Sequence, residues 1–207
     1  VRERQNVLIA GATSSGKTTL ANALLAEIAA TGDRVLVLED TVELQCAARD
    51  HVPLRTRQGV VSMQELVRSS MRLRPDRVVV GEVRGAEALD LIKVWGTGHP
   101  GGIATIHAGS ALGALLRLEQ LILEVAVNPP RALIAEAVNV VIHIAGRGRK
   151  RRIESIARIV GLDGVGYQLA DWEADAMDAP FPELPPAPFA AEIAAPSLSP
   201  DQPGELP

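Results

Sequence analysis

The residues best equipped for chemistry stand near the start of the chain. Gly11-Ala12-Thr13-Ser14-Ser15-Gly16-Lys17-Thr18 fits G-x-x-x-x-G-K-[ST] at every fixed position, and Thr19 follows directly. The stretch lies after a short apolar run and before one rich in Ala and Leu, the strand–loop–helix setting that phosphate binding requires. Its glycines let the backbone wrap until the N–H groups converge on an anion, and the start of the helix adds partial positive charge. In such a loop Lys17 reaches the β- and γ-phosphates of ATP, and the Thr18 hydroxyl holds Mg²⁺. The loop indicates a nucleotide but not a reaction, because kinases, GTPases and motors share it.

Hydrolysis also needs a carboxylate to orient the attacking water. Two acidic clusters close predicted strands: Glu39-Asp40-Thr41-Val42-Glu43 after Arg34–Leu38, and Glu82 after Val78–Val80. Parallel strands put their carboxyl ends on the edge that carries the phosphate loop, so both clusters can face the γ-phosphate. An ordinary Walker B strand ends in an aspartate for the metal; Gly81 stands there instead, followed by Glu82. Glu82 is therefore read as the general base or water-orienting residue. The metal-side role passes to Glu39, Asp40 or Glu43, with Asp40 joining Thr18 as the assigned metal ligand. The bland alternative makes these acids solvated strand ends or helix caps.

Two histidines, His99 and His107, flank a glycine turn and a short strand. No Cys or further His nearby completes a metal-ligand set. An oligomeric ATPase usually completes its site with a cation, and Arg68, Arg72, Arg74, Arg84 and Arg117 are available. Arg84, two residues past Glu82, is the best situated. The run Arg147-Gly148-Arg149-Lys150-Arg151-Arg152 lies between two predicted strands. It lacks the aromatic neighbours that stack bases, which favours a solvated hairpin tip over a nucleic-acid or lipid contact.

The elements that must position these groups alternate. Strands are expected over Asn6–Ala10, Arg34–Glu39, Arg77–Glu82 and Gly102–His107, with helices over Lys17–Ala30, from the capping box Ser62-x-x-Glu65 to Pro75, and over Ala86–Trp95. A helix over Ser110–Val125 should bury Leu112, Leu115, Leu116, Ile122 and Val125. Another follows Pro129-Pro130, then strands near Asn139–Ala145, Arg152–Val160 and Val165–Leu169. The alternation predicts an α/β fold, a mostly parallel sheet flanked by helices, with ligands at the carboxyl ends of its strands.

From Asp171 onward there are eight acids and no Lys or Arg, which leaves 17 acids against 21 bases, about +4, in the first 170 residues. That is too weakly basic to argue for direct nucleic-acid binding. Nine of the fourteen prolines lie from Pro180 onward, so residues 171–207 are read as an acidic, Pro/Ala-rich disordered tail and residues 1–170 as one domain. No apolar run approaches a membrane span, and the polar opening residues do not resemble a secretory signal. The single cysteine, Cys46, forms no internal disulfide, so a cytoplasmic setting is expected. The first strand begins within ten residues of a chain that starts with Val, which is read as a fragment or the loss of a preceding domain.

Taken together, Gly11–Thr18, Glu39–Glu43, Arg74-Pro75-Asp76 leading to Val80-Gly81-Glu82-Val83-Arg84, and Gly98–His107 resemble the four ordered motifs of the type II/IV secretion ATPases. The likeness runs over about residues 5–160 and is nearest the conjugal-transfer, TrbB-type branch. It implies a RecA-like core and ATP as substrate, with Glu82 as catalytic glutamate and His107 as γ-phosphate sensor. It also implies a homo-oligomer, a hexamer for the full-length protein, working with inner-membrane secretion components at the inner face of a bacterial membrane. The resemblance further implies a domain before the core, which this chain is read as lacking, with consequences expected for its assembly and turnover. Two rival readings are a DNA-dependent helicase-like motor and a truncated module that binds nucleotide without hydrolysing it. A small-molecule kinase fits least, because no acceptor lid is visible.

Overall fold

The computed structural model describes residues 1–172 of the 207. The elements run β1 (Val7–Gly11), α1 (Lys17–Ile28), β2 (Val35–Glu39), β3 (His51–Arg55), α2 (Met63–Ser70), β4 (Arg77–Val83), α3 (Glu87–Gly96), β5 (Ile103–Ile106), α4 (Ala111–Ile122), α5 (Arg131–Ala137), β6 (Val140–Ala145), β7 (Arg152–Leu162) and β8 (Tyr167–Asp171). Eight strands form one sheet in the order β3-β2-β4-β5-β1-β6-β7-β8. All pairs from β3 to β6 are parallel, and β6–β7 and β7–β8 are antiparallel. The expected mostly parallel sheet flanked by helices is borne out.

Strand alternation divides the core into two layers. Val7 and Ile9 of β1, with Val35, Val37, Val79, Ile103, Val140 and Ile142, face α1 through Ala21, Leu25 and Ile28. Leu8, Ala10, Leu36, Leu38, Val78, Val80 and Ala104 face α2 to α5. Each fully buried Leu or Ile contributes about 1.5–3 kcal/mol.

Three readings needed correction or extension. β3 was not foreseen: it is an outer strand whose residues are alternately exposed and half-buried, and it carries Pro53. Only an edge tolerates a residue without an N–H. In α4 the buried side is Ala111, Ala114, Leu115, Leu118, Leu121 and Ile122, whereas Leu112 and Leu116 face outward and Val125 lies beyond the helix, also exposed. The leucines run around the helix, and the two alanines let it approach the sheet. The capping box at Ser62 and Glu65 is present, but its helix ends at Ser70 in a short 3₁₀ turn before Pro75 is reached. Asp171 closes β8, and Trp172 packs on the core layer under α1; the rest of the expected tail lies outside the described residues.

Candidate active site

The carboxyl ends of the parallel strands open into a cavity of about 420 Å³, lined among others by Thr13, Ser14, Gly16, Lys17, Thr18, Thr19, Glu39, Asp40, Glu43, Glu82, Arg84, Thr105 and His107. The loop after β1 forms it through unusual backbone. Ser14 and Gly16 take left-handed φ values of 61° and 100°. A Cβ on Gly11 would strike the Ser15 hydroxyl and come 2.7 Å from the Ile144 carbonyl. The Ser15 hydroxyl itself is buried without a hydrogen-bond partner. Lys17 Nζ folds back and donates to the Gly11 and Ala12 carbonyls at 3.0 and 3.1 Å. Burial holds its ammonium below the ordinary lysine range against the pull of Glu82, and Arg84 lowers it further.

Glu82 owes its aim to a local irregularity. Val80 pairs with Ala104 and Val83 with Ile106, so β4 carries one residue more than β5 between those points. A bulge of this kind re-aims a side chain. The Thr105 hydroxyl ties it down by donating to the Gly81 carbonyl at 2.7 Å. Glu82 then meets two partners: His107 Nε2 lies 2.7 Å from Oε1, and Arg84 Nε donates to Oε2 at 2.6 Å.

The first acidic cluster divides its duties. Glu39 is buried, and its Oε1 accepts from the Glu43 and Leu44 amides at 3.0 and 2.7 Å, which shapes the loop. Gly81 leaves room for it, since a Cβ there would sit 3.2 Å from Glu39 Cγ. Asp40 turns aside: Oδ1 accepts from the Thr56 hydroxyl at 2.7 Å, and Oδ2 lies 3.7 Å from Arg84. The carboxylate that meets Thr18 is that of Glu43, which accepts its hydroxyl at 3.0 Å. A hydroxyl beside a carboxylate suits Mg²⁺, which keeps several waters and takes phosphate oxygens as further ligands. Among the described residues no group of three or more His, Cys, Asp and Glu is arranged to hold a metal by itself.

Other residues lie elsewhere. His99 Nδ1 is 2.8 Å from the Pro75 carbonyl at the opposite rim of the sheet. Arg68 pairs with Asp90 and Arg117 bonds Gln120. Sequence reasoning missed Thr105 and Arg151, both of which line the cavity. Thr105 sits in the quoted histidine segment, but only strand pairing reveals its partner.

Residues 1–153 match the family described as Type II/IV secretion system protein. The chain belongs to the type II/IV secretion family. This secretion-family chain is 50% identical over 170 residues to the conjugal transfer protein TrbB of Rhizobium radiobacter, covering 81% of this chain and 52% of that protein. Among solved structures it resembles the VirB11 ATPase of the Brucella suis type IV secretion system, with a TM-score of 0.69 and 34% identity over 76% of this chain and 49% of the other. The pilus retraction motor PilT, at 21% identity and a TM-score of 0.57 over 81% of this chain and 46% of that one, shares the fold. The secretion-family chain spans about half the length of the curated relatives it matches. Among its described residues no helix is long and apolar enough to cross a membrane.

Proposed function

We propose that this chain is the ATP-hydrolysing motor domain of a conjugation or type IV secretion apparatus, turning ATP and water into ADP, phosphate and movement between subunits. One observation carries the reading: Lys17, on the loop after β1, and Glu82, on the bulge of β4, line one cavity. The backbone amides of Gly11–Thr19 and the Lys17 ammonium take the phosphate chain. Thr18 and Glu43 would hold Mg²⁺, which supplies positive charge against the phosphate oxygens. Glu82 orients the attacking water and accepts its proton, His107 reads the γ-phosphate through its contact with Glu82, and Arg84 offsets charge once it leaves Glu82. The VirB11 relative was solved in complex with sulphate, a tetrahedral anion like phosphate.

In this reading the domain works as a homo-oligomer, hexameric in the full-length protein, beside membrane components of the apparatus on the cytoplasmic side. Direct contact with nucleic acid is not part of it. Residues 1–172, with Asp171 closing β8 and Trp172 on the core, act as the motor, and the acidic, Pro/Ala-rich residues that follow as an appended tail. A second reading, a module that binds nucleotide without turnover, draws on the double engagement of Glu82 by His107 and Arg84.

Measuring nucleotide binding and phosphate release together in Glu82→Gln separates the two. The motor reading expects binding within about twofold of the parent and turnover lower by about 10²–10⁴-fold. Equal phosphate release in parent and variant would remove Glu82 from the mechanism, and a parent that binds but never releases phosphate would favour the second reading.

A further inference from the structure

The proposed mechanism leaves one cation of the cavity without a task. The end of β6 lies against the phosphate loop, as the closeness of Ile144 to Gly11 requires. The chain then turns back sharply. Gly146 takes φ 83°, and a side chain there would collide with the Lys150 carbonyl. A 3₁₀ turn over Gly148–Lys150 follows before β7 begins. The return brings Arg151 over the loop: its Cδ is 3.5 Å and its Nη1 3.9 Å from where a Cβ on Gly16 would stand.

The other cations of the cavity are occupied by protein acceptors. Lys17 is held by two loop carbonyls, and Arg84 lies between Glu82 and Asp40. Within the hairpin, Arg152 bonds Glu154 at 3.0 Å. Among the described residues Arg151 has no carboxylate partner, and its like-charged neighbours Arg147, Arg149 and Lys150 offer it none. A phosphate chain on the Gly16 and Lys17 amides comes within reach of this guanidinium, which binds phosphate oxygens two at a time. Because β6 flanks β1 on the side away from β4, Arg151 approaches from the side opposite Glu82.

We infer that Arg151 is a nucleotide-binding residue supplied in cis by the basic hairpin, contacting the α- or β-phosphate. The inference rests on the reading that this cavity binds a nucleotide. A contact remote from the reacting γ-phosphate strengthens ground and transition states alike, so its loss raises KM and leaves kcat nearly unchanged.

The test is calorimetric titration of the 207-residue chain with ADP and, separately, inorganic pyrophosphate. The parent is compared with Arg151→Ala, Arg151→Lys, Arg149→Ala and Lys17→Ala. Arg151→Ala should weaken both ligands about tenfold, as loss of a charge-assisted bond does. Arg151→Lys should recover part of that loss, and Arg149→Ala should change neither ligand by more than about twofold. Parent-like binding by Arg151→Ala overturns the inference. So does a loss confined to ADP, which puts the guanidinium on base or ribose, or an equal loss in Arg149→Ala, which reduces the effect to diffuse attraction. Lys17→Ala separates the two levels. If it binds as the parent does, or the parent binds neither ligand, the nucleotide reading falls and this inference with it. If it loses binding while Arg151→Ala does not, only the role of Arg151 falls.

Discussion

At the amino-terminal rim of the sheet, Arg77 is 1% exposed and bonds Asp33 at 2.6 Å, while one of its Nη atoms donates to the Val1 and Gly101 carbonyls, both at 3.1 Å. Asn6 fastens the same rim, bonding Asn139, Ala137 and Gly102. At the carboxyl rim Glu82 also meets opposite charge, but its partners Arg84 and His107 are 64% and 46% exposed. Both rims gather charges from distant parts of the chain, yet only one set can exchange partners. A buried pair whose guanidinium is also bonded to backbone carbonyls stays fixed, because breaking it strands a charge away from water. A pair at the edge of a cavity, with one member in water, can give up its bond to a phosphate or a water molecule at little cost.

Four substitutions and one titration sharpen or break this contrast. Asp33→Ala should have the largest effect, a loss of about 3–5 kcal/mol of folding stability by urea unfolding, because it leaves the Arg77 guanidinium buried and unpaired. A loss under about 1 kcal/mol would make the two rims equivalent. Lys17→Ala should lower nucleotide affinity about 100-fold, since an ammonium that makes charge-assisted bonds worth about 1.5–3 kcal/mol each is lost. Its melting temperature should stay close to that of the parent. Gly11→Ala sits between the two classes: overpacking against Ser15 and the Ile144 carbonyl should cost about 1–3 kcal/mol of stability and also distort the phosphate loop.

The titration concerns Asp33. Burial alone would raise its carboxyl value, but hydrogen bonds from Arg77 and Thr31, with the charges of Arg77 and Arg4, hold it below the ordinary aspartate range. A depressed folded value stabilises the fold above the unfolded value of about 3.9, and that increment is lost as pH falls through the folded value. Stability measured from neutral pH down to below pH ~4 should therefore fall in the parent by an increment that Asp33→Asn lacks. The smallest effect is expected from Arg84→Ala. Folding stability should move by less than about 1 kcal/mol, as for exposed pairs generally, while phosphate release changes because Glu82 loses a partner.

Legibility followed the range of the interaction. The phosphate loop could be read in full, because its glycines, lysine and threonine act through backbone shape and a helix start within a few residues. The edge strand β3 could not. Pro53 argues against a strand wherever the position in the sheet is unknown, and position was settled only by pairing with β2. In α4 Leu115 and Ile122 are buried as expected but Leu112 and Leu116 are not, since leucines surround the helix and the sheet chose the side carrying Ala111 and Ala114. The acids were found as a group, but their division of labour was not. Glu39 shapes a loop, Asp40 turns to Thr56, and Glu43 meets Thr18 because of side-chain contacts that spacing does not encode.

The sequence alone determined that a phosphate loop joins a buried strand to a helix, and that acids close two further strands of a mostly parallel sheet. Those features depend on neighbours along the chain and on strand direction. Tertiary structure decided that Glu43 meets Thr18, re-aimed Glu82 through one extra residue in β4 opposite β5, and brought Arg151 over Gly16 through the pairing of β6 with β7. Contacts between residues far apart in sequence exist only once the strands are in register, and local spacing carries no record of that register.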